Sequence, residues 1–453
     1  MAAPDLAGAL LVLLAHEVEG DARIDDLRRL SGGASRETWS FDLRAPGTTH
    51  ELILQRLRPG GGAGSGLPLG TEAALVRAAG EHGVPVARVM ASDDGAILGT
   101  PGMVTERLAG ETIARRLLRD AEWSDARTRL GAQVAEAAAV IHAMPIDAVV
   151  GLASGDQLDQ CRMLLDGLAE PHPAFELGVR WLEAHRPVPS APAIVHGDLR
   201  MGNLLVDHGG LRAVLDWELA HVGDALEDLG WFCVRAWRFG SPLEAGGVAT
   251  RAALVDAYVA ASGRSVDPQA LRWWEVLGTL KWGAICMLQA WGHLSGATRS
   301  VELATIGRRV CENEWDLLGL LPGGPLLRVS TTPAPSPGPV LHDRPSVAEL
   351  VEAAREWVEA DVRDGTEGRL AFDARVAANA LRMVERELAL EPGLTRAHAT
   401  RLAELGCADD GALVGRIRSG ELDDRAEEVR TLVAASVHDK LLVANPGWLA
   451  PEG

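Results

Sequence analysis

The chain has 453 residues, which is more than one ordinary domain needs and predicts two or three. Hydrophobic residues make up 47% of it and charged residues 24%, a composition typical of soluble globular proteins. The formal net charge of −19 argues against a basic nucleic-acid-binding surface and against attachment to an anionic membrane, so we expect neither partner.

The cysteines indicate the redox state and location expected of the protein, and lysine is rare in its sequence. The five cysteines include no CxxC pair and are odd in number, so we expect reduced, mostly buried thiols, no zinc site and a cytoplasmic location. Only two of the 44 basic residues are lysines, Lys281 and Lys440. The N-terminal run GALLVLLA is too short to span a bilayer and lacks a basic flank, which predicts a buried first helix.

Residues 21–110 predict a small antiparallel sheet with one helix. The segments TWSFDL (38–43) and ELILQR (51–56) have strand composition and flank a turn-forming RAPGTTH. The segment TEAALVRAAGEHG (71–83) contains helix formers and ends on glycine. The segments VARVM and GMVTERL predict two further strands, so the overall class expected is α+β.

The pattern is helical from about residue 111 to 321, with candidate helices at 122–144 and 158–186. One apolar stripe at helical spacing predicts a core-facing helix; its members are Trp273, Leu277, Leu280, Ala284, Leu288 and Trp291.

A Pro-rich segment at 322–342 predicts an extended linker. Beyond it, Ser346 and Glu349 have the spacing of a capping box at the start of an amphipathic helix. Two more helices are expected at 368–390 and 421–443. The region 343–453 is thus predicted to be a separate all-α accessory domain.

The stretch IVHGDLRMGNLLVD (194–207) carries the chemistry, because it spaces His196, Asp198 and Asn203 as H-x-D-x-x-x-x-N between apolar strands. Asp216 follows in AVLDWE, thirteen residues after Asn203. Phosphoryl transfer needs a carboxylate to accept the proton of the attacking hydroxyl, oxygen ligands for Mg²⁺ and positive charge on the phosphates. Asp198 fits the base, Asn203 and Asp216 fit the metal ligands, and Arg200 could steady the transferred group.

The segments HGDLRMGNLLVD and VLDWELAHVGDALEDLGW resemble the aminoglycoside phosphotransferase and choline kinase superfamily, which has a bilobal protein-kinase-like fold. The nearest likeness is to the branch fused to acyl-CoA dehydrogenases, and it covers about 20–320. The C-terminal region resembles a small helical domain of unknown function found with such kinases. The resemblance implies a nucleotide-binding lobe at 1–107 and a helical catalytic and substrate lobe at 108–321.

Further roles are implied by this resemblance, residue by residue. LSGGASRETW (30–39), with Gly32, Gly33 and Ser35, matches the nucleotide-positioning loop. Glu72 matches the acid that pairs with a phosphate-binding cation. TERLAG (105–110), with Glu106 and Leu108, matches the hinge whose backbone binds adenine. His196 matches a residue that orients the catalytic loop, and Asp224 and Asp228 match a helix start, where Asp224 is expected to act as a cap.

One position departs from the family pattern. A Lys or Arg usually stands on the third strand to hold the phosphates, whereas the alignment places Gln55 there, with Arg56 beside it. Neighbouring residues on a strand face opposite ways, so the two cannot both point at a nucleotide without a bulge. We expect a one-residue shift that turns Arg56 towards Glu72.

Three functions remain open from the sequence. The first is an ATP- and Mg²⁺-dependent kinase acting on a small-molecule hydroxyl, with a hydroxyacyl-CoA or hydroxy acid favoured over an aminoglycoside. The second is a degenerate kinase-fold module that binds without turnover, which Gln55 would favour. The third is a metal-dependent hydrolase using His196, Asp198 and Asp216, which lacks the second histidine expected at such a site. A homodimer is compatible with the sequence.

Overall fold

The computed structural model describes residues 3–30, 36–58, 66–324 and 344–450. Packing divides the chain into two compact units, and each is built from two stretches of sequence. Unit 1 comprises Met1–Gly155 and Pro187–Glu275. Unit 2 comprises Asp156–Arg186 and Val276–Glu452.

The strands all belong to unit 1 and are numbered in chain order: β1 (Arg23–Arg29), β2 (Arg36–Ala45), β3 (Thr48–Leu57), β4 (Val89–Asp93), β5 (Gly102–Glu106), β6 (Ala193–Val195), β7 (Leu204–Asp207), β8 (Gly210–Val214) and β9 (His221–Gly223). The first five form an antiparallel sheet in the order β1-β2-β3-β5-β4, and β6 with β9 and β7 with β8 form two small ribbons.

The α-helices are numbered in the same way: α1 (Ala3–Leu13), α2 (Leu69–Glu81), α3 (Ala114–Arg119), α4 (Ser124–Ala143), α5 (Gln157–Leu168), α6 (Pro173–Ala184), α7 (Leu226–Phe232), α8 (Arg251–Ser262), α9 (Pro268–Leu294), α10 (Val301–Ile306), α11 (Val310–Leu320), α12 (Val347–Trp357), α13 (Gly368–Glu404), α14 (Asp410–Arg418) and α15 (Ala426–Ala444). Helices and an antiparallel sheet thus give the α+β class that the sequence predicts.

The five-stranded sheet has one face covered by α1. Leucines of α1 pack on side chains that alternate along β2 and β3, such as Phe41, Leu43, Leu52 and Leu54. The helix predicted from GALLVLLA is therefore present and buried. The opposite face of the sheet is the side on which Glu72 of α2 meets a β2 side chain. Because strand side chains alternate, each residue of β2 and β3 is assigned to one of these two faces.

Unit 2 joins α5, α6 and α11 to the helices of the C-terminal region. The long helix α9 begins in unit 1 and continues into unit 2. Arg418 of α14 pairs with Glu176 of α6 at 2.8 Å, and Lys440 of α15 pairs with the buried Glu314 of α11 at 3.1 Å. The C-terminal helices therefore pack on helices that precede the Pro-rich segment.

Several helix boundaries differ from the sequence predictions. The helix expected at 158–186 is two helices, because Ala169 adopts a left-handed conformation with φ of 54° and Pro171 and Pro173 follow. The helix expected at 368–390 continues to Glu404 through Pro392. The short α14 was not predicted.

Other elements agree with the sequence. The capping box of Ser346 and Glu349 is formed at the start of α12, and all five cysteines are buried. Of the apolar stripe on α9, the first four members are buried, whereas Leu288 and Trp291 are exposed. None of the helices in the described ranges combines the length and the apolar character needed to cross a membrane.

Candidate active site

The loop that the sequence predicts to be catalytic, which we call the catalytic loop, connects β6 to β7 in unit 1 and carries Asp198. The preceding Gly197 has a φ of 76°, and a Cβ there would lie 2.3 Å from the Leu219 carbonyl oxygen. Only glycine can therefore occupy this position without moving the neighbouring backbone. The tight turn places the Asp198 side chain directly after the buried β6, half-buried and ready to contact a ligand.

Three side chains donate hydrogen bonds to the Asp198 carboxylate. Arg200 Nε lies 3.0 and 3.1 Å from its two oxygens. Asn203 Nδ2 donates to Oδ2 at 2.7 Å, and Trp231 Nε1 donates to Oδ1 at 2.8 Å. Donors on both oxygens hold the carboxylate in one orientation, which is what a proton acceptor in catalysis requires.

Two tryptophans that the sequence reasoning missed complete this cluster. The Arg200 guanidinium stacks over the Trp237 ring at 4.9 Å, and the rings of Trp231 and Trp237 are 5.2 Å apart. Cation–π contact and the ion pair with Asp198 together orient Arg200. The spacing of Trp231 and Trp237 resembles that of ordinary core residues, so no local signal marks them.

The ribbon of β7 and β8 brings Asn203 next to Asp216. Leu215 N donates to the Asn203 carbonyl at 2.8 Å, and β7 and β8 pair from Leu204 and Val214 onwards. Asp216 is exposed and takes a φ of 64°, unusual for a residue with a Cβ. Within the described residues, its carboxylate has neither a hydrogen-bond nor an ion-pair partner, and the Asn203 Oδ1 accepts no hydrogen bond.

His196 supports the loop through both ring nitrogens. Its Nδ1 accepts a hydrogen bond from Asp198 N at 3.2 Å, and its Nε2 donates to the Leu215 carbonyl at 3.0 Å. The ring therefore connects the loop of Asp198 to the end of β8, next to Asp216. The orienting role implied for His196 agrees with these contacts.

The buried Asp228 of α7 holds the loop from beneath. One carboxylate oxygen accepts from His196 N at 2.8 Å and from His142 Nε2 at 3.0 Å, and the other accepts from Gly197 N at 2.9 Å. Burial acts to raise the pKa of Asp228, but the His142 hydrogen bond and the neighbouring histidines outweigh it and lower the pKa. A charged carboxylate inside the protein thus anchors the catalytic loop.

His142 extends this network to the single tyrosine of the chain. Its Nδ1 accepts from the Tyr258 hydroxyl at 2.9 Å, which joins α4 and α8 to α7. Among the described residues, the Asp224 side chain accepts from Leu226 N, the first residue of α7, although the N-cap position itself is Ala225. Sequence reasoning missed the anchoring role of Asp228, because its partners lie more than thirty positions away along the chain.

Glu72 lies on the face of the sheet opposite α1, which we call the cleft face, and it pairs with an arginine of β2. Arg36 Nη1 is 2.8 Å from Glu72 Oε2, and Arg36 Nη2 is 3.0 Å from Glu218 Oε2. Burial raises the pKa of Glu72 to about 7 despite the opposing effect of Arg36, and the charges of Asp216 and Glu218 add to the rise. Burial and Asp216 likewise raise the pKa of Glu218.

The orientation expected for Arg56 is corrected by the structure. Arg56 stands opposite Glu37 in the β2–β3 pairing and forms an ion pair with it at 3.0 Å. It lies on the sheet face that α1 covers, and no bulge interrupts the pairing of β2 with β3. Gln55 therefore lies on the cleft face, and the cation beside Glu72 is Arg36.

The segment expected to bind adenine connects β5 to the helical part of unit 1. Glu106 ends β5, and its side chain accepts from Arg88 Nε at 2.9 Å. The backbone N–H and C=O of Leu108 make no hydrogen bond to a described residue, which leaves them available to a ligand. Gly32, Gly33 and Ser35, expected in the nucleotide-positioning loop, lie outside the described residues.

Comparison with known proteins agrees with this geometry. A model of the phosphotransferase enzyme family (APH) matches residues 26–274, and a domain family of unknown function, DUF6285, matches 364–448. Mouse acyl-CoA dehydrogenase family member 10 is 26% identical over 220 residues, which are 46% of this chain and 20% of that protein. The chain thus corresponds to only about a fifth of this curated relative's length.

Solved structures of phosphotransferases resemble this chain, and one of them has a TM-score above 0.5. A candidate aminoglycoside phosphotransferase from Ralstonia eutropha superposes with a TM-score of 0.53 at 22% identity, covering 68% of this chain and 97% of that one. The macrolide 2′-phosphotransferase MphH from Brachybacterium faecium gives a TM-score of 0.44 at 20% identity, covering 64% and 94%. The APH model spans more than half of the chain and includes every element of the Asp198 site. The protein therefore belongs to the APH phosphotransferase enzyme family and has its protein-kinase-like fold.

Proposed function

We propose that the protein transfers the γ-phosphoryl group of ATP to a hydroxyl group of a small molecule, with Mg²⁺ as the metal. The observation that carries this proposal is the Asp198 carboxylate, which three donors orient beside the two oxygen ligands Asn203 and Asp216. A positioned carboxylate next to hard oxygen donors is the arrangement that phosphoryl transfer to an alcohol needs.

The residues present fit a magnesium ion. Asn203 donates its amide N–H to Asp198, so the Oδ1 of Asn203 points away from Asp198. The Asp216 carboxylate has no partner among the described residues. Both oxygens are of the type that Mg²⁺ prefers. A bound Mg²⁺ would neutralise charge on the ATP phosphates as the transferred group leaves.

The residues of the chain then have defined tasks. Asp198 accepts the proton of the attacking hydroxyl at a carboxylate oxygen. Trp231 and Arg200 keep that carboxylate turned towards the acceptor, and Asp228 holds the loop that carries it. The backbone groups of Leu108, which have no partner among the described residues, would bind the adenine ring.

For the acceptor, we favour a hydroxyacyl-CoA or a hydroxy acid. The support is the likeness of 46% of this chain to part of a mouse protein named for acyl-CoA dehydrogenase. The Ralstonia and Brachybacterium structures are described as aminoglycoside and macrolide phosphotransferases, but at this identity they bear on the fold and not on the acceptor. Amino sugars are therefore the alternative acceptors to test.

A kinase-fold module that binds without turnover is the second candidate, and Gln55 favours it. An uncharged amide on the cleft face of β3 cannot neutralise phosphate oxygens as a lysine or arginine would. The hydrolase alternative finds less support, because His196 uses both ring nitrogens in hydrogen bonds within the protein and has none left for a metal.

The test is phosphate transfer by the full chain with MgATP against hydroxy acids, hydroxyacyl-CoAs, amino sugars and choline. The Asp198→Asn variant is expected to lose turnover with every acceptor. Asp207→Asn is the matched control, because Asp207 lies in the β7–β8 turn and accepts only from Gly209 N among the described residues. Absence of turnover together with absence of magnesium-dependent ATP binding would refute the proposal, whereas ATP binding without turnover would favour the binding module.

A further inference from the structure

The register of β2 and β3 shows which side chains share the cleft face. Thr38 stands opposite Gln55, and Arg36 stands opposite Leu57 two positions further along. Residues directly opposite in an antiparallel pair project to the same face, and so do residues two apart on one strand. Arg36 and Gln55 are therefore diagonal neighbours on the cleft face.

Arg36 is buried, and its guanidinium bridges two acidic side chains. Its side chain is only 10% exposed, and one nitrogen contacts Glu72 while the other contacts Glu218. Glu72 is almost fully buried, whereas the Glu218 side chain is 33% exposed and lies two residues after Asp216. Glu72 can therefore hold Arg36 in place while the more exposed Glu218 gives way to an incoming anion.

The acidic side chains of this site favour a cation beside a polyphosphate. Four carboxylates lie close enough to influence one another, those of Glu72, Asp198, Asp216 and Glu218. Carboxylates that stay ionised repel the phosphates of a nucleotide. A positively charged side chain that faces the phosphates would offset this repulsion.

Two other arginines near this site have partners elsewhere. Arg200 pairs with Asp198 and stacks on Trp237. Arg56 pairs with Glu37 on the opposite face of the sheet. The segments 31–35 and 59–65 contain no Lys or Arg, and the first lysine of the chain is Lys281, which belongs to unit 2.

We infer that Arg36 of β2 binds the phosphates of the nucleotide and replaces the third-strand cation that Gln55 cannot supply. Its planar fork can donate two parallel hydrogen bonds to phosphate oxygens, a geometry that suits phosphate recognition. The positive charge is kept on the same face of the sheet but comes from the neighbouring strand. The inference rests on the proposed function, since it takes a nucleotide as the ligand.

The experiment measures binding of MgADP and of adenosine by calorimetry to the full chain. Arg36→Gln is expected to weaken MgADP binding by roughly thirtyfold or more, because two charge-assisted contacts are lost, and to change adenosine binding less than about threefold. Adding Gln55→Lys to Arg36→Gln returns a cation to the same face and is expected to recover about tenfold of the lost MgADP affinity. Arg56→Gln, which removes an arginine from the other face, is the matched control and is expected to keep both affinities.

Equal MgADP binding by wild type and Arg36→Gln would overturn the inference while leaving the proposed function intact. Failure of the wild type to bind either MgADP or MgATP would overturn the proposed function, and the inference with it. Arg36→Lys keeps the charge beside Glu72, so it tests the same point even if the neutral variant does not fold. It is expected to weaken MgADP binding roughly fivefold with adenosine unchanged, and unaltered MgADP binding would count against the inference.

Discussion

In the Asp228→Asn variant, unit 1 should unfold at a lower temperature than in the wild type, although the substitution replaces a single oxygen of a buried side chain by an NH₂ group. The carboxylate accepts three hydrogen bonds, from His196 N, Gly197 N and His142 Nε2. An amide has only one oxygen, so whichever way it is turned, at least one backbone N–H faces its NH₂ group and is left unpaired.

The size of the effect follows from these contacts. An unpaired buried donor costs about 1–3 kcal/mol, and a hydrogen bond to a charged group contributes about 1.5–3 kcal/mol. We therefore expect the free energy of unfolding of unit 1 to fall by about 3 kcal/mol, a drop of roughly 6–12 °C in its thermal midpoint.

Thermal unfolding followed by circular dichroism at pH 7 measures this, with Asp224→Asn as the control. Among the described residues the Asp224 side chain accepts from Leu226 N, a contact that the oxygen of an asparagine can also make, so the midpoint of this variant should not move. Because the pKa of Asp228 is lowered in the folded state, its contribution is complete above about pH 5 and is lost on acidification. The difference in unfolding free energy between the wild type and Asp228→Asn should thus be constant between pH 6 and 8 and shrink below about pH 4. A loss below about 1 kcal/mol at pH 7 would refute the anchoring role of Asp228.

Three further outcomes are expected. Trp231→Phe removes the indole donor of Asp198 and should lower kcat by about tenfold at unchanged KM for ATP, whereas Trp123→Phe, whose indole N–H has no partner in the described structure, should leave kcat unaltered; equal kcat in both variants would contradict the role of Trp231. In unit 2, burial acts to lower the pKa of His172 but the Glu314 carboxylate outweighs it and raises the pKa to about 9, so the stability it adds is complete below about pH 6.5 and is lost as the pH rises through 9. The midpoint of unit 2 should fall over that range in the wild type and stay flatter in His172→Gln, and parallel profiles would disprove this. Finally, all five thiols are buried, so Ellman's reagent should label none in the native protein and five in denaturant without added reductant, and rapid native labelling would contradict the burial.

The catalytic loop could be predicted from sequence because its functional groups lie close together along the chain. His196, Asp198 and Asn203 fall within eight positions, and Asp216 follows two residues after the end of β8. Such spacing carries the geometry with it, since a strand, a tight turn and a second strand leave few alternatives. His196 and Asn203 contact Asp198 as this spacing predicts, while the catalytic roles of the four residues stay predictions.

Contacts between distant segments could not be predicted in this way. The side of the sheet that Arg56 faces depends on strand register, and a shift of one residue reverses it. The pairing of Arg36 with Glu72 joins β2 to α2, and the Asp228 contacts join α7 to α4 and to the catalytic loop. In each case a charged residue has a partner that no local pattern identifies.

The predictions of helix boundaries were wrong where local propensity competed with packing. The sequence at Pro392 favours an end to the helix, yet α13 continues through it, and Gly393, the next residue, is buried. Conversely, the periodicity over 158–186 continues across a break at Ala169 that only the left-handed backbone reveals.

The packing of the C-terminal helices bears on how such a protein can be inherited and engineered. A gene that ended after residue 324 would leave Glu314 without Lys440 and Glu176 without Arg418. Glu314 is only 1% exposed and would keep His172 but lose the charge of Lys440, and the truncated polypeptide would expose a helical surface to chaperones and proteases. The segments matched by the two family models are therefore poor candidates for exchange as independent cassettes, and recombination that keeps the chain folded must carry α6, α11, α14 and α15 together.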